Sequence, residues 1–303
     1  MTRIVFTVFI ILLFISPAGA QPPAPTPLSA DPEIQSMVER LTAAPVLYNM
    51  DTPANHDIFR LGQQLGNRAN VFTKVGDSNT TNGDFLQPIG MSGNFCDLGF
   101  YPELQETIDF FSVSPLAGEA NSFVHFSIAA KEGLSSAASL DPFWAGETCQ
   151  PNESPLACEY RIARPSVAIM MLGLMDVRYK AADSFRKNIE KVIQLSMERG
   201  VIPVLTTIVV LPDQERLSFD DSIRINIHML DMAEQYGIPL INLWAAVQTL
   251  PDFGIGPDRT HLKHKIGAFC SFNGAELLYG GTLRNLLTLQ ALDELRRNVL
   301  NSG

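Results

Sequence analysis

Three largely apolar runs recur in the second half of the chain, and each is separated from the next by a segment of helix length. Residues 166–172 read SVAIMML, residues 201–210 read VIPVLTTIVV and residues 238–243 read IPLINL. A strand with one wet face alternates apolar and polar residues; a strand covered on both faces has no need to. Between these runs, residues 184–199 place Phe185, Ile189, Val192 and Ile193 at helical spacing, and Gly200 follows. Residues 219–236 place Ile223, Ile227, Leu230 and Ala233 on one face, and Gly237 follows. Glycine just past a periodic stretch is a helix stop. An earlier segment, residues 70–75 (NVFTKV), has strand character and ends at Gly76, and Leu283, Leu287, Ala291, Leu295 and Val299 mark a long final helix. Buried strands alternating with helices predict an α/β fold, a parallel sheet with helices on both faces.

The length, 303 residues, suits one large domain, and 46% hydrophobic with 18% charged residues excludes a wholly disordered chain. A net charge of −10 leaves no basic footprint, so no nucleic-acid partner is expected. Residues 1–20 read as an export signal: Arg3, a run of twelve apolar residues, then Ala18-Gly19-Ala20 as a cleavage pattern. Twelve residues of helix rise about 18 Å, well short of a hydrocarbon core of about 30 Å, so a signal is favoured over a membrane anchor. Residues 21–35 begin with a Pro-rich stretch and read as a spacer, and residues 36–303 as the folded domain. The expected location is secreted or otherwise extracytoplasmic, with no membrane anchor after cleavage.

Export puts the four cysteines in an oxidising compartment, where they allow three pairings. Cys149 and Cys158 flank a short polar loop and suit a local bridge, which leaves Cys96–Cys270 as a long-range one. A zinc site is the rival use, but the chain has no C-x-x-C pair.

In parallel α/β sheets, chemistry gathers beyond the carboxyl ends of the strands. Three polar clusters follow strand signals here: Gly76-Asp77-Ser78-Asn79, Gly173-Leu174-Met175-Asp176, and Asp258-Arg259-Thr260-His261. Ser78, after a glycine at a strand-to-helix turn, is the candidate nucleophile, with helix amides nearby for a developing oxyanion. Its bland alternative is helix capping by Asp77 and Ser78. His261 is the candidate base, and Asp258, three residues earlier, can orient its imidazole. The bland alternative there is a polar surface loop. A third use of that loop is a metal site formed by Asp258, His261 and His264. His56, His125 and His228 have no such company in the sequence.

The order of these clusters resembles the SGNH (GDSL-type) hydrolases. Gly76-Asp77-Ser78 matches the family's nucleophile block, and Asp258-x-x-His261 matches its last block. Gly173-Leu174-Met175-Asp176 stands where the family shows G-x-N-D, and Gly133, within residues 129–135 (AAKEGLS), matches the second-block glycine. The resemblance implies a flavodoxin-like three-layer α/β/α sandwich with a central parallel sheet. It implies a serine esterase with Ser78, Asp258 and His261 catalytic, with the Ser78 and Gly133 amides in the oxyanion hole, and with no metal or organic cofactor. The substrate would be a carboxylic ester of a small molecule, lipid or carbohydrate. Met175 departs from the pattern: the family's asparagine donates a hydrogen bond, and a thioether cannot. Asn79 and Asn94 are the nearby substitutes. The departure sustains an alternative, a catalytically impaired scaffold that binds carbohydrate or another surface.

Overall fold

The computed structural model describes residues 29–91 and 96–301. The expected signal, residues 1–20, lies outside them, as do residues 21–28 of the spacer. The folded part begins earlier than residue 36. Helix α1 (Pro32–Ala43) starts inside the expected spacer, with Asp31 accepting from the Glu33 amide as N-cap. Pro32 sits at the first helical position, where its missing N–H costs nothing and its fixed φ suits the helix.

The chain continues through β1 (Leu47–Tyr48), α2 (Pro53–Gln64), β2 (Arg68–Gly76), α3 (Ser78–Thr81), α4 (Gln87–Gly90), α5 (Leu104–Ser112), α6 (Pro155–Ala163) and β3 (Pro165–Met171). It then forms α7 (Leu174–Arg178), α8 (Ala182–Glu198), β4 (Ile202–Thr206), α9 (Phe219–Tyr236), β5 (Leu240–Ile241), α10 (Leu243–Ala246) and α11 (Gly280–Leu295). The sheet order is β1-β5-β4-β3-β2. The β2–β3, β3–β4 and β4–β5 pairs are parallel, and β1 is an antiparallel edge. Helices α1, α8 and α9 pack together, as do α5 and α11, and the sheet lies between helical layers. This is an α/β fold with a mostly parallel central sheet.

The far side of β2 carries one more contact. Gly76 N donates to Ala129 O at 3.1 Å, Lys131 N donates to Gly76 O at 3.0 Å, and Gly76 and Ala130 form a parallel bridge. Counting residues 129–131 as a vestigial strand, the parallel strands run 2-1-3-4-5 in chain order, the doubly wound pattern. The order reverses on either side of β2, so the carboxyl end of β2 lies at the switch point where such sheets bind ligands.

Every residue of β3 and β4 is buried, which accounts for their largely apolar runs. The run at 201–210 does not continue as strand past Thr206. Ile208 instead exchanges two hydrogen bonds with the buried Asn226 side chain, each at 2.8 Å, so a side chain takes over from the ladder. In α8, Phe185, Ile189, Val192 and Ile193 are buried, each contributing about 1.5–3 kcal/mol of transfer free energy. Cys96–Cys270 and Cys149–Cys158 are bridged, with Cα–Cα separations of 5.0 and 5.3 Å. Among the described residues, no helix is long and apolar enough to cross a membrane.

Candidate active site

Strand β2 ends at Gly76 because nothing larger fits. A Cβ there would lie 2.4 Å from Thr80 Oγ1 and 2.5 Å from the Met171 carbonyl oxygen. The chain turns at once into α3, whose first residue is Ser78. Asp77 caps this turn by accepting from the Asn79 amide at 3.0 Å. Capping and exposure of a nucleophile therefore divide between neighbours: Asp77 is buried and Ser78 is half-buried. Burial pushes the Asp77 carboxyl up to about 6, against the Asn79 amide, Arg284 and His261, which favour its charged form.

The Asp258–His261 loop is a narrow turn. Gly256 N donates to His261 O at 2.8 Å, and Arg259 N to Gly256 O at 2.9 Å. Asp258 Oδ1 accepts from the Thr260 and His261 amides, both at 3.0 Å. Asp258 Oδ2 lies 2.6 Å from His261 Nδ1, and His261 Nε2 lies 2.8 Å from Ser78 Oγ. Burial alone would raise the Asp258 carboxyl. The His261 amide and imidazole outweigh it and hold this carboxyl below its usual range. The three residues thus form a continuous Ser–His–Asp relay, half open to solvent at the imidazole. The two loops are also joined directly, since Leu262 N donates to Asn79 Oδ1 at 3.0 Å.

Ser78, Gly133, Met175 and His261 line one cavity of about 530 Å³, with Leu174, Tyr179 and Leu217 among its walls. Gly133 has φ +78°, a left-handed conformation that glycine adopts freely. Among the described residues, neither the Ser78 nor the Gly133 amide donates to another group. The loop carrying Gly133 is fixed from below: Ser136 donates to Asp176 through its amide (3.0 Å) and its hydroxyl (2.5 Å). Met175 belongs to α7 and is buried in the cavity wall.

Two alternatives that the sequence left open come out as follows. Asn79 does not line the cavity that holds Ser78, Gly133 and Met175; it is buried, and its carboxamide oxygen accepts from the Leu262 amide. Asn94 lies outside the described residues. His264 does not join Asp258 and His261 in a metal cluster. Its side chain is 7% exposed and packs so closely on Gly281 that a Cβ there would lie 2.3 Å from the ring. Burial, with Arg284 second, pushes His264 down to about 4, so it is a neutral core residue at ordinary pH. His125, without company in the sequence, meets Glu159 at 2.9 Å and Glu119 at 2.5 Å in the fold. The one Cys/Glu grouping of metal-ligating geometry among the described residues is Cys149, Glu153 and Cys158, whose sulfurs are already bonded to each other.

Sequence reasoning missed Arg284. It is wholly buried in α11, donates to Asn79 O at 2.8 Å and Thr80 Oγ1 at 3.2 Å, and stacks 3.7 Å over the Phe85 ring. It therefore clamps the turn that presents Ser78. Burial pushes its guanidinium down to about 9, opposed by Asp77, which leaves it cationic at neutral pH. The available signal was an Arg-Asn pair inside an apolar helix. Asn285 likewise holds the neighbouring loops, donating to Asp84 O and Phe269 O.

No protein-family profile matches the chain, and no curated protein matches it. Among solved structures, the chain is similar to a GDSL-like lipase from Bacteroides thetaiotaomicron VPI-5482, with 13% identity, 79% of this chain and 98% of that one covered, and a TM-score of 0.43.

Proposed function

We propose that this chain is an exported serine hydrolase that cleaves carboxylic esters through an acyl-serine intermediate. The observation that carries the reading is the relay from Ser78 Oγ through His261 to Asp258, set at the mouth of an open cavity. Ser78 Oγ attacks the ester carbonyl carbon while His261 Nε2 takes its proton. The carbonyl oxygen gains negative charge, which the Ser78 and Gly133 amides stabilise by donating to it. The bond to the leaving oxygen breaks, and His261 returns the proton to the departing alcohol. Water then attacks the acyl-serine and gives a proton to His261. The carboxylic acid leaves, and Ser78 recovers its hydrogen. Asp258 holds the imidazole tautomer and stabilises its charged form.

The cavity volume falls within the usual range for small-molecule sites. A second hollow of about 340 Å³ shares Arg178 and Leu217 with it, so an ester of a sugar or lipid has room beyond the reacting group. The test is labelling with a fluorophosphonate probe, followed by peptide mapping. Label on Ser78, lost together with esterase turnover in Ser78→Ala, is expected. A wild-type protein that takes no label and hydrolyses no short acyl ester would leave the carbohydrate- or surface-binding reading in its place.

A further inference from the structure

We propose that the phenolic hydroxyl of Tyr179 is a third hydrogen-bond donor to the acyl oxygen, beside the Ser78 and Gly133 amides. This inference rests on the serine-esterase reading above. Acyl transfer places a full negative charge on one oxygen, and each donor aimed at it lowers the barrier more than it aids ground-state binding. The wall of the cavity that should carry a side-chain donor presents Met175, whose thioether has no hydrogen to give.

Tyr179 lies four residues on. Its amide closes the last turn of α7 by donating to Met175 O at 2.9 Å, so the two residues stand one above the other on the same helix face. Both line the cavity with Ser78 and His261. The Tyr179 hydroxyl oxygen would be 3.5 Å from a Cβ built on Gly133, which puts it next to the residue whose amide faces no other partner. Tyr179 is 55% exposed. Among the described residues, its hydroxyl makes no hydrogen bond, so the donor is unspent. Two other residues of the wall have side-chain donors, Arg178 and Thr260. Thr260 Oγ1 already donates to Asp258 O at 3.4 Å, and Arg178 also lines the adjoining hollow. Tyr179 is the neutral donor beside Gly133.

Tyr179→Phe removes the hydroxyl and keeps the ring. In steady-state kinetics on p-nitrophenyl esters, kcat is expected to fall by about 10–10², near the lower end of what one lost oxyanion donor costs, with KM changing by less than about twofold. The rate of Ser78 phosphonylation should fall in parallel, because the phosphoryl oxygen occupies the same hole. An unchanged kcat, or a change confined to KM, would reduce Tyr179 to a wall of the cavity and overturn the assignment. The two proposals fail separately. If wild type labels at Ser78 and Tyr179→Phe labels and turns over equally fast, only the donor role is wrong; if wild type neither labels nor turns over, both fall.

Discussion

The two oxygens of Asp258 are used differently: one holds its own loop through two amides, and the other holds the imidazole. A carboxylate so tied cannot rotate without opening the turn, so the orientation of His261 is fixed by backbone and not by side-chain packing. The same precision is missing at Met175, where the wall offers bulk and no donor. Met175→Asn is expected to raise kcat on short acyl esters, by about tenfold where the new amide reaches the oxyanion, with little change in KM. A loss of thermal stability without a gain in kcat would show that the site is built around the thioether and leaves the amide unsatisfied. Ser78, Asp258 and His261 were legible because short local patterns carried them. Arg284 and Tyr179 were not, because Arg284 meets Asn79, and Tyr179 meets Gly133, only in the folded chain, and neither stands in a local motif.

Among the elements, the loop bearing His261 runs from α10 to α11, and the Cys96–Cys270 bridge ties its far end to the segment between α4 and α5. Asp97 strengthens that tie by accepting from the Phe272 amide at 2.8 Å and from the Asn273 side chain. The bridge spans 174 positions, against 9 for Cys149–Cys158. On the chain-entropy account these closures are worth about 5 and about 2.6 kcal/mol. The double variant Cys96→Ala/Cys270→Ala is therefore expected to lose more stability than Cys149→Ala/Cys158→Ala, by about 2 kcal/mol, in urea melts at one pH. Equal losses would mean that the unfolded chain's freedom is not the main term. The strands β3 and β4 were readable from apolar runs, since both faces are buried, and the helices α8 and α9 from periodicity, since each buries one regular stripe. The end of β4 was not readable, because the Asn226 side chain that replaces its ladder lies 18 positions away from Ile208. Nor was the character of α11 readable: its apolar stripe suggested one buried face, yet Arg284, Asn285 and Thr288 are buried too, each with a hydrogen-bonding task.

For the whole molecule, two buried groups set opposing responses to acid. Asp77 releases its proton at about 6 in the fold and near 3.8 when unfolded, so between those values the native state binds more protons and stability falls as pH rises. His264 takes its proton at about 4 in the fold and near 6.5 when unfolded. Between those values the unfolded state binds more protons, and stability is lost as pH falls. Each shift corresponds to about 3 kcal/mol, and the two slopes nearly cancel between pH 4 and 6. Relative to wild type, Asp77→Asn should show stability rising more steeply with pH over this window, and His264→Gln should show it rising less steeply or falling. Urea midpoints at pH 4, 5, 6 and 7 check this, and parallel profiles for all three proteins would refute it.

The clamp on the nucleophile turn also has a direction in time. Arg284 grips Asn79 across 205 positions of chain, and it belongs to the last long helix. Synthesis from the N-terminus adds the entire sheet and Ser78, Asp258 and His261 before it adds Arg284. A chain that stops short of α11 thus carries Ser78 without the guanidinium that anchors its turn. The order in which the residues are made thus differs from the order in which the turn is completed: Ser78 comes early and its anchor comes late.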